Sequence, residues 1–293
     1  MTRILSSLSE VALQYDAVFC DLWGCLHNGV RPFPEAVAAL EAFRDGGGIV
    51  VLLTNSPRPS DGVYQQLDAM GVDRALYQAV ASSGDAALAA LAAGAFGRKV
   101  WHIGPDRDES FFQTLARSYP EANITRVPRN EAEGIVCTGL YDDDTETPED
   151  YREEILFGVN EGLKMLCANP DIFVDKGDKR IWCAGGIARA YEDAGGDARY
   201  FGKPHAPIYD LARQRLIEVT GGKRIADDRI LCIGDGIHTD IRGAVGEDMD
   251  SLFVTGGLAR EETGTTDQPD PDKLRAFIRD AQLTPTMSIG ALR

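Results

Sequence analysis

The stretch AVFCDLWGCLHNGV, Ala17–Val30, decides how the rest of the chain is read. Its first half is an unbroken apolar run that stops on a carboxylate, Asp21. Its second half is a glycine-punctuated loop carrying Trp23 and His27. A continuous apolar run of this length is what a parallel strand buried on both faces looks like. A carboxylate at its end sits at the edge of the sheet, where open α/β sheets bind their ligands.

Working outward, the same pattern recurs. GIVVLLTNS (48–56) and QAVASSG (78–84) read as strands, as do RILCIGDG (229–236) and MDSLFVTGG (249–257). Helical patterns alternate with them: PEAVAALEAFRDGG, with Pro34 near its start and glycines after its end, then PSDGVYQQLDAMG, DAALAALAAG and HTDIRGAVGE. This alternation predicts an α/β fold, a doubly wound parallel sheet of Rossmann-like type. Between the two blocks lie three more strand candidates: RKVWHIGPD, EGIVCTGLYDD and KMLCANPDIFV. DESFFQTLARSYP and TPEDYREEILFGVNEG read as helices. This middle section is either more of the same sheet or a separate inserted domain. The acidic YDDDTETPED reads as a solvated loop leading into a helix, and PDPDKLRAFIRDAQLTP as a terminal helix with a loose end.

Composition narrows the class. The 293 residues are 44% hydrophobic and 26% charged, with a net charge of -16. An acidic surface repels nucleic acid and anionic membranes, so neither is expected as a partner. No apolar run reaches the roughly 18 residues of a membrane-spanning helix, and the N-terminal stretch has no signal-peptide character. The six cysteines, Cys20, Cys25, Cys137, Cys167, Cys183 and Cys232, are scattered and form no CxxC pair. They read as buried free thiols of a cytoplasmic protein rather than as disulfides or a zinc site.

The residues at the strand ends belong together chemically. Asp21 ends the first run, Thr54 and Asn55 the second, and Asp235 with Asp240 follow a later one. Lys203, in FGKPHAP, precedes the helical pattern APIYDLARQRL. Hard carboxylate oxygens, a cation and a hydroxyl/amide pair are what an Mg2+-dependent phosphoryl-transfer site requires. Asp21 could also attack phosphorus directly and form an aspartyl-phosphate. A dinucleotide-binding dehydrogenase is disfavoured, because no GxGxxG follows the first strand.

In this order, DLWG at Asp21, LLTNS at Thr54, GKP at Lys203 and GDGIHTD at Asp235 and Asp240 resemble the four motifs of the haloacid dehalogenase (HAD) superfamily. TNSPRP, ANPD, GGIARAYE and FVTGGLAREE, with the long insert between the second and third motifs, look like its class IIA group. That group carries a type-2 α/β cap and includes nitrophenyl phosphatases, pyridoxal phosphatase and phosphoglycolate phosphatase. The resemblance spans Ala17 to Glu262. It implies a core of residues 1–84 and 199–293 and a cap of residues 85–198. It also implies roles: Asp21 as nucleophile and Mg2+ ligand, and Trp23 as a metal ligand through its backbone carbonyl. Thr54 and the Asn55 amide would bind phosphoryl oxygens, and Lys203 would neutralise nucleophile and phosphate. Asp235 would ligate Mg2+, Asp240 would hold a metal-bound water or Lys203, and Asn169 and Asp171 would face the substrate from the cap. The substrate is then a small phosphorylated metabolite, and an exposed apolar strand of the insert would offer an edge for a homodimer.

One position departs from the pattern. Phosphatases of the superfamily carry Asp-x-Asp at the first motif, and the second Asp gives and takes the proton. Here Trp23 stands there, and an indole N–H only donates. Loss of such acid–base help typically costs about a hundredfold to ten-thousandfold in rate. His27, the nearest titratable group in the loop, is one replacement. A leaving group that needs no proton, such as an acyl phosphate, is another answer. A phospho-ligand binder of weak or no activity is the third. Trp23 itself would give a flat apolar surface for a ring or stop water entry. Of the other histidines, His205 and His238 lie next to motif residues, and His102 sits in the insert.

Overall fold

The computed structural model describes residues 2–176 and 179–293. The chain opens with β1 (Arg3–Ile4), β2 (Ala17–Cys20), α1 (Pro34–Asp45), β3 (Ile49–Thr54), α2 (Ser60–Ala69), β4 (Ala79–Ser82) and α3 (Ser83–Ala92). A second run holds β5 (Lys99–Ile103), α4 (Glu109–Ser118), β6 (Thr125–Arg126), β7 (Gly134–Cys137), α5 (Arg152–Asn160) and β8 (Lys164–Cys167). It continues through β9 (Phe173–Lys176), β10 (Lys179–Trp182), α6 (Ala184–Asp193) and β11 (Asp197–Tyr200). The chain closes with α7 (Ala206–Val219), β12 (Ile230–Gly234), α8 (Arg242–Gly246), β13 (Asp250–Val254), α9 (Pro271–Ala281) and β14 (Met287–Ile289).

The larger sheet is seven-stranded and parallel, in the order β1-β14-β13-β12-β2-β3-β4. Its central strands are apolar on both faces because each face meets a layer of helices. Val18, Cys20, Val50 and Leu52 enter one core, with Leu40 and Phe43 of α1 and Val63 and Leu67 of α2. Ala17, Phe19, Val51 and Leu53 enter the other, with Ile208, Tyr209 and Ala212 of α7. Successive strand residues alternate sides, so the period of two splits one apolar run between two cores. The middle section is a separate layer: a parallel sheet in the order β11-β8-β7-β5-β6, with the antiparallel pair β9–β10 beside it.

Several segments differ from the sequence expectation. KMLCANPDIFV is two strands, β8 and β9, broken at Asn169–Asp171. HTDIRGAVGE begins with a π-helical turn, Ile237–Ile241, before α8. The tail does not end loosely: Met287–Ile289 pairs with β13 and β1 and is buried. The second sheet gains its last strand at Asp197–Tyr200, so the boundary expected at 198/199 falls inside β11. The edge strands of that sheet carry Arg126, Asp197 and Arg199, with Asp197 and Arg199 paired at 2.7 Å. Along those two edges the charge opposes strand pairing, while the β9–β10 pair of the same layer exposes Trp182. All six cysteines are free and buried. Among the described residues no helix is long and apolar enough to cross a membrane.

Candidate active site

Strand order places the site. β2 pairs with β3 on one side and β12 on the other. The chain proceeds outward in both directions from this point, and such a switch opens a crevice at the carboxyl ends of the strands. Asp21, Thr54, Asn55 and Asp235 each follow or end one of these three strands, and all are buried. The Asp21 amide donates to the Ile233 carbonyl at 2.8 Å, so the sheet ladder itself fixes the start of the loop.

Lys203 comes to the same edge, 2% exposed, between two carboxylates. Its Nζ donates to Asp21 Oδ1 at 2.6 Å and to Asp240 Oδ1 at 2.7 Å. Asp240 is held in turn by the π-helical turn: its Oδ2 accepts from the Gly236 N–H at 3.1 Å and the Thr239 hydroxyl at 3.2 Å. Its role toward Lys203 is thus the one the geometry displays. Asp235 Oδ2 accepts from the Leu258 N–H at 3.0 Å. A Cβ on Gly24 or Gly257 would lie 2.0 Å from that same oxygen. These two glycines are the space in which the carboxylate sits. Oxygens of Asp21 and Asp235 and the Cys25 sulfur all lie within 4.8 Å of one another.

Three buried carboxylates therefore share one buried ammonium. Burial pushes the Asp21 carboxyl up to about 7, against the pull of Lys203. Burial, with Asp21 and Asp240 adding to it, holds Asp235 well above the usual carboxylate range. For Lys203 burial works against the charge, yet Asp21, Asp240 and Asp171 outweigh it and keep the ammonium well above its ordinary value. Buried charge in excess is normally matched by a partner ion. Hard carboxylate oxygens from Asp21 and Asp235 fit a small divalent cation such as Mg2+.

The broken strand brings the second layer to this edge. Asn169 Oδ1 accepts from the Asp171 N–H at 3.0 Å, which makes the Asn169–Asp171 segment a tight Asx turn. Asp171 Oδ1 accepts from Asn55 Nδ2 at 2.9 Å. The same Asn55 side chain donates to the Lys203 carbonyl at 3.1 Å and accepts from the Lys203 N–H at 2.6 Å. Asn55 thus straps the 169–171 turn to the segment carrying Lys203. That role is invisible in the sequence, where its side chain looks like part of the Thr54 motif.

A cleft of about 1170 Å³ opens over this edge, lined from both layers. Trp23 lines it, packed over Gly29, and meets the His27 ring edge-on at 5.3 Å. His27 itself does not line the cleft. It is fully buried, and its Nδ1 accepts from the Gly29 N–H at 3.0 Å. Burial pushes its pKa down to about 4. The loop turns inward because the Leu26 and His27 amides both donate to the Leu22 carbonyl. The expectation that His27 stands in for the missing carboxylate meets a side chain sealed under Trp23. His205 is exposed and stacked on Tyr200, His238 is exposed beside Arg242, and His102 bonds Thr138 inside the second layer. Sequence reading missed Arg107 and Asp143, which pair at 2.7 Å at the cleft wall, and the buried Asp108 beside them. The run DRDE in the insert was the available signal.

A family model described as haloacid dehalogenase-like hydrolase matches residues 18–116, and one described as HAD-hydrolase-like matches residues 200–281. No curated protein matches the chain. Among solved structures, a haloacid dehalogenase-like hydrolase from Brucella suis is 40% identical, with a TM-score of 0.86, over 99% of this chain and 100% of that one. A glycerol phosphate phosphatase from Mycobacterium tuberculosis, solved in complex with magnesium, is 25% identical (TM-score 0.62; 88% of this chain, 71% of that one). A possible sugar phosphatase of the HAD superfamily from Cytophaga hutchinsonii shares the fold at 19% identity (TM-score 0.77; 99% and 98%). With strand-end carboxylates, a buried lysine and an inserted second sheet already in place, these matches settle the family: the chain belongs to the haloacid dehalogenase-like hydrolases.

Proposed function

We propose that this hydrolase is a phosphoric monoester hydrolase of class IIA type acting on a small phosphorylated metabolite, with Asp21 as nucleophile. The observation that carries this reading is the Asp21–Lys203–Asp240 arrangement, buried at the switch point with Asp235 beside it. The named activities of the Mycobacterium and Cytophaga relatives agree with it. Residues up to about 82 and from about 201 form the catalytic core, and the intervening sheet is the cap.

Asp21 attacks phosphorus in line, and the phosphoryl group passes to its carboxylate. Thr54 and the Asn55 backbone N–H bind phosphoryl oxygens. Lys203 holds Asp21 in place and opposes the charge that grows on the phosphoryl group. Asp21, Asp235 and the Trp23 carbonyl would hold Mg2+, which when bound neutralises phosphoryl oxygens. Asn169 and Asp171 close the cleft from the cap. A screen of phosphorylated metabolites with Mg2+, repeated with chelator and with Asp21→Asn, tests the reading. Turnover that persists in the variant, or needs no divalent cation, overturns it. A second reading, a phospho-ligand binder, draws on Trp23 alone. It predicts a ligand that stabilises both proteins and is hydrolysed by neither.

Two further expectations follow from the packing. Gly257→Ala places a methyl 2.0 Å from Asp235 Oδ2 and must displace that carboxylate. The Mg2+ dissociation constant should rise by about tenfold or more, as for other disturbed metal ligands' supports; calorimetric titration giving an unchanged constant would refute this use of Asp235. His27→Gln should lower stability by about 1–3 kcal/mol, the range for disturbed buried polar contacts. The limbs of the kcat/KM pH profile should stay where they are, and a lost limb would return His27 to the proton-transfer path.

A further inference from the structure

Cleaving a phosphate ester of an alcohol requires a proton for the departing oxygen. The Asp21 loop offers Trp23 and a sealed His27, and none of the four histidines lines the cleft. Of the carboxylates that line the cleft, Asp240, Asp171 and Asp235 are the ones whose charge reaches Asp21. Asp235 shares the oxygen cluster with Asp21 and holds the Leu258 N–H. Asp240 spends Oδ1 on Lys203 and Oδ2 on Gly236 and Thr239. Asp171 differs from both. It arrives from the cap layer, on the turn between β8 and β9, one bridging amide away from Lys203. That amide engages Oδ1 and leaves Oδ2 to carry a proton. In-line attack from Asp21 drives the leaving group away from the core strands, and Asp171 lines the same cleft from the second layer.

We propose that Asp171 is the general acid and base of this enzyme, protonating the leaving oxygen on the side opposite Asp21. This rests on the phosphomonoesterase reading above. As the bond from Asp21 to phosphorus forms and the bond to the leaving oxygen breaks, the Asp171 proton passes to that oxygen. The alcohol departs, leaving Asp171 as carboxylate and Asp21 as aspartyl-phosphate. Water then attacks phosphorus, gives its proton to Asp171, and releases phosphate with the Asp21 carboxylate restored. The groups that face Asp171 are Lys203, Asp240 and Asp21, the Asn55 amide, and the Cys167 and Cys183 thiols. Desolvation, partly offset by Lys203 and Asn55, pushes its carboxyl up to about 6. An acid of that strength is suited to donate and recover a proton near neutrality.

Asp171→Asn keeps an oxygen for Asn55 and removes the transferable proton together with the charge of the ionised carboxylate. It is compared with wild type on glycerol phosphate, whose leaving group is poor, and p-nitrophenyl phosphate, whose leaving group is good. The expected loss in kcat/KM is about 100-fold or more for glycerol phosphate. For p-nitrophenyl phosphate the loss in kcat/KM should be at least about tenfold smaller, because that leaving group needs no proton. The variant should also release nitrophenolate in a burst, because the second half-reaction lacks its base. Equal losses on both substrates, or no loss on either, would overturn the role of Asp171 alone. Wild type inactive on both substrates, or activity surviving Asp21→Asn, overturns the phosphomonoesterase reading and this proposal with it.

Discussion

Asp21→Asn is expected to lower kcat by about ten-thousandfold or more, the scale on which loss of an attacking group acts. The amide oxygen is a poor nucleophile and a poor ligand, so the variant should lose both phosphoryl transfer and most of the stabilisation that Mg2+ gives the wild type. It should not lose its fold. The Asp21 carboxyl is raised by burial from the ordinary range to about 7. A group raised in this way favours the folded state fully below its unfolded pKa of about 4, and that contribution is lost as pH rises through about 7. At pH 8 without a divalent cation the ionised Asp21 therefore works against folding by an amount on the order of a few kcal/mol. The neutral amide removes that penalty. Thermal melts at pH 8 in chelator should show the variant at least as stable as wild type. With Mg2+ present the order should reverse, because only the wild type gains the ion's binding energy. A variant that melts well below wild type in chelator would show that its inactivity reflects unfolding and says nothing about nucleophilic attack.

What the sequence revealed, and what it hid, divides along physical lines. β2, β3, β12 and β13 were legible because a strand covered on both faces must be apolar at every position. Their polar ends were legible because the chain has to leave the sheet there. β1 and β14 are two and three residues long and owe their existence to pairing with each other and with β13. No periodicity can mark so short a segment. The 169–171 turn was readable as a turn, but KMLCANPDIFV was read straight through it. Loop positions were the hardest. His27 was chosen by its nearness to Asp21 along the chain, and nearness along a chain does not fix direction. Two amides bonded to one carbonyl, that of Leu22, rotate it into the core. Asn55 lies just past β3, as its place in the Thr54 motif leads one to expect, yet its side chain is committed to Asp171 and Lys203, 116 and 148 positions away. Such partners become visible only once the insert folds back over the sheet.

The same buried charge makes Lys203→Met the substitution with the largest expected effect on stability. Methionine nearly matches lysine in shape, so the change removes charge more than volume. It leaves Asp21 and Asp240 facing each other without the ammonium that now lies 2.6 and 2.7 Å from them. Removing one partner of a buried pair typically costs about 3–5 kcal/mol, because the remaining charge stays buried and unpaired. For a chain of this size that corresponds to a fall in Tm on the order of 10 °C near neutral pH. The sign of the pH dependence separates this account from a packing defect. Lys203 lowers the Asp21 carboxyl, so its loss lets that carboxyl rise above about 7. A carboxylate raised further gives a folded state that is relieved as protons bind, and the deficit should grow as pH rises from about 5 to 8. Toward pH 4, below the raised value of the Asp21 carboxyl, the deficit should shrink, since that carboxyl is then neutral in both proteins. Melting curves across that range provide the measurement. A deficit that stays constant with pH would assign the loss to packing and detach Lys203 from the charge balance on which the whole site depends.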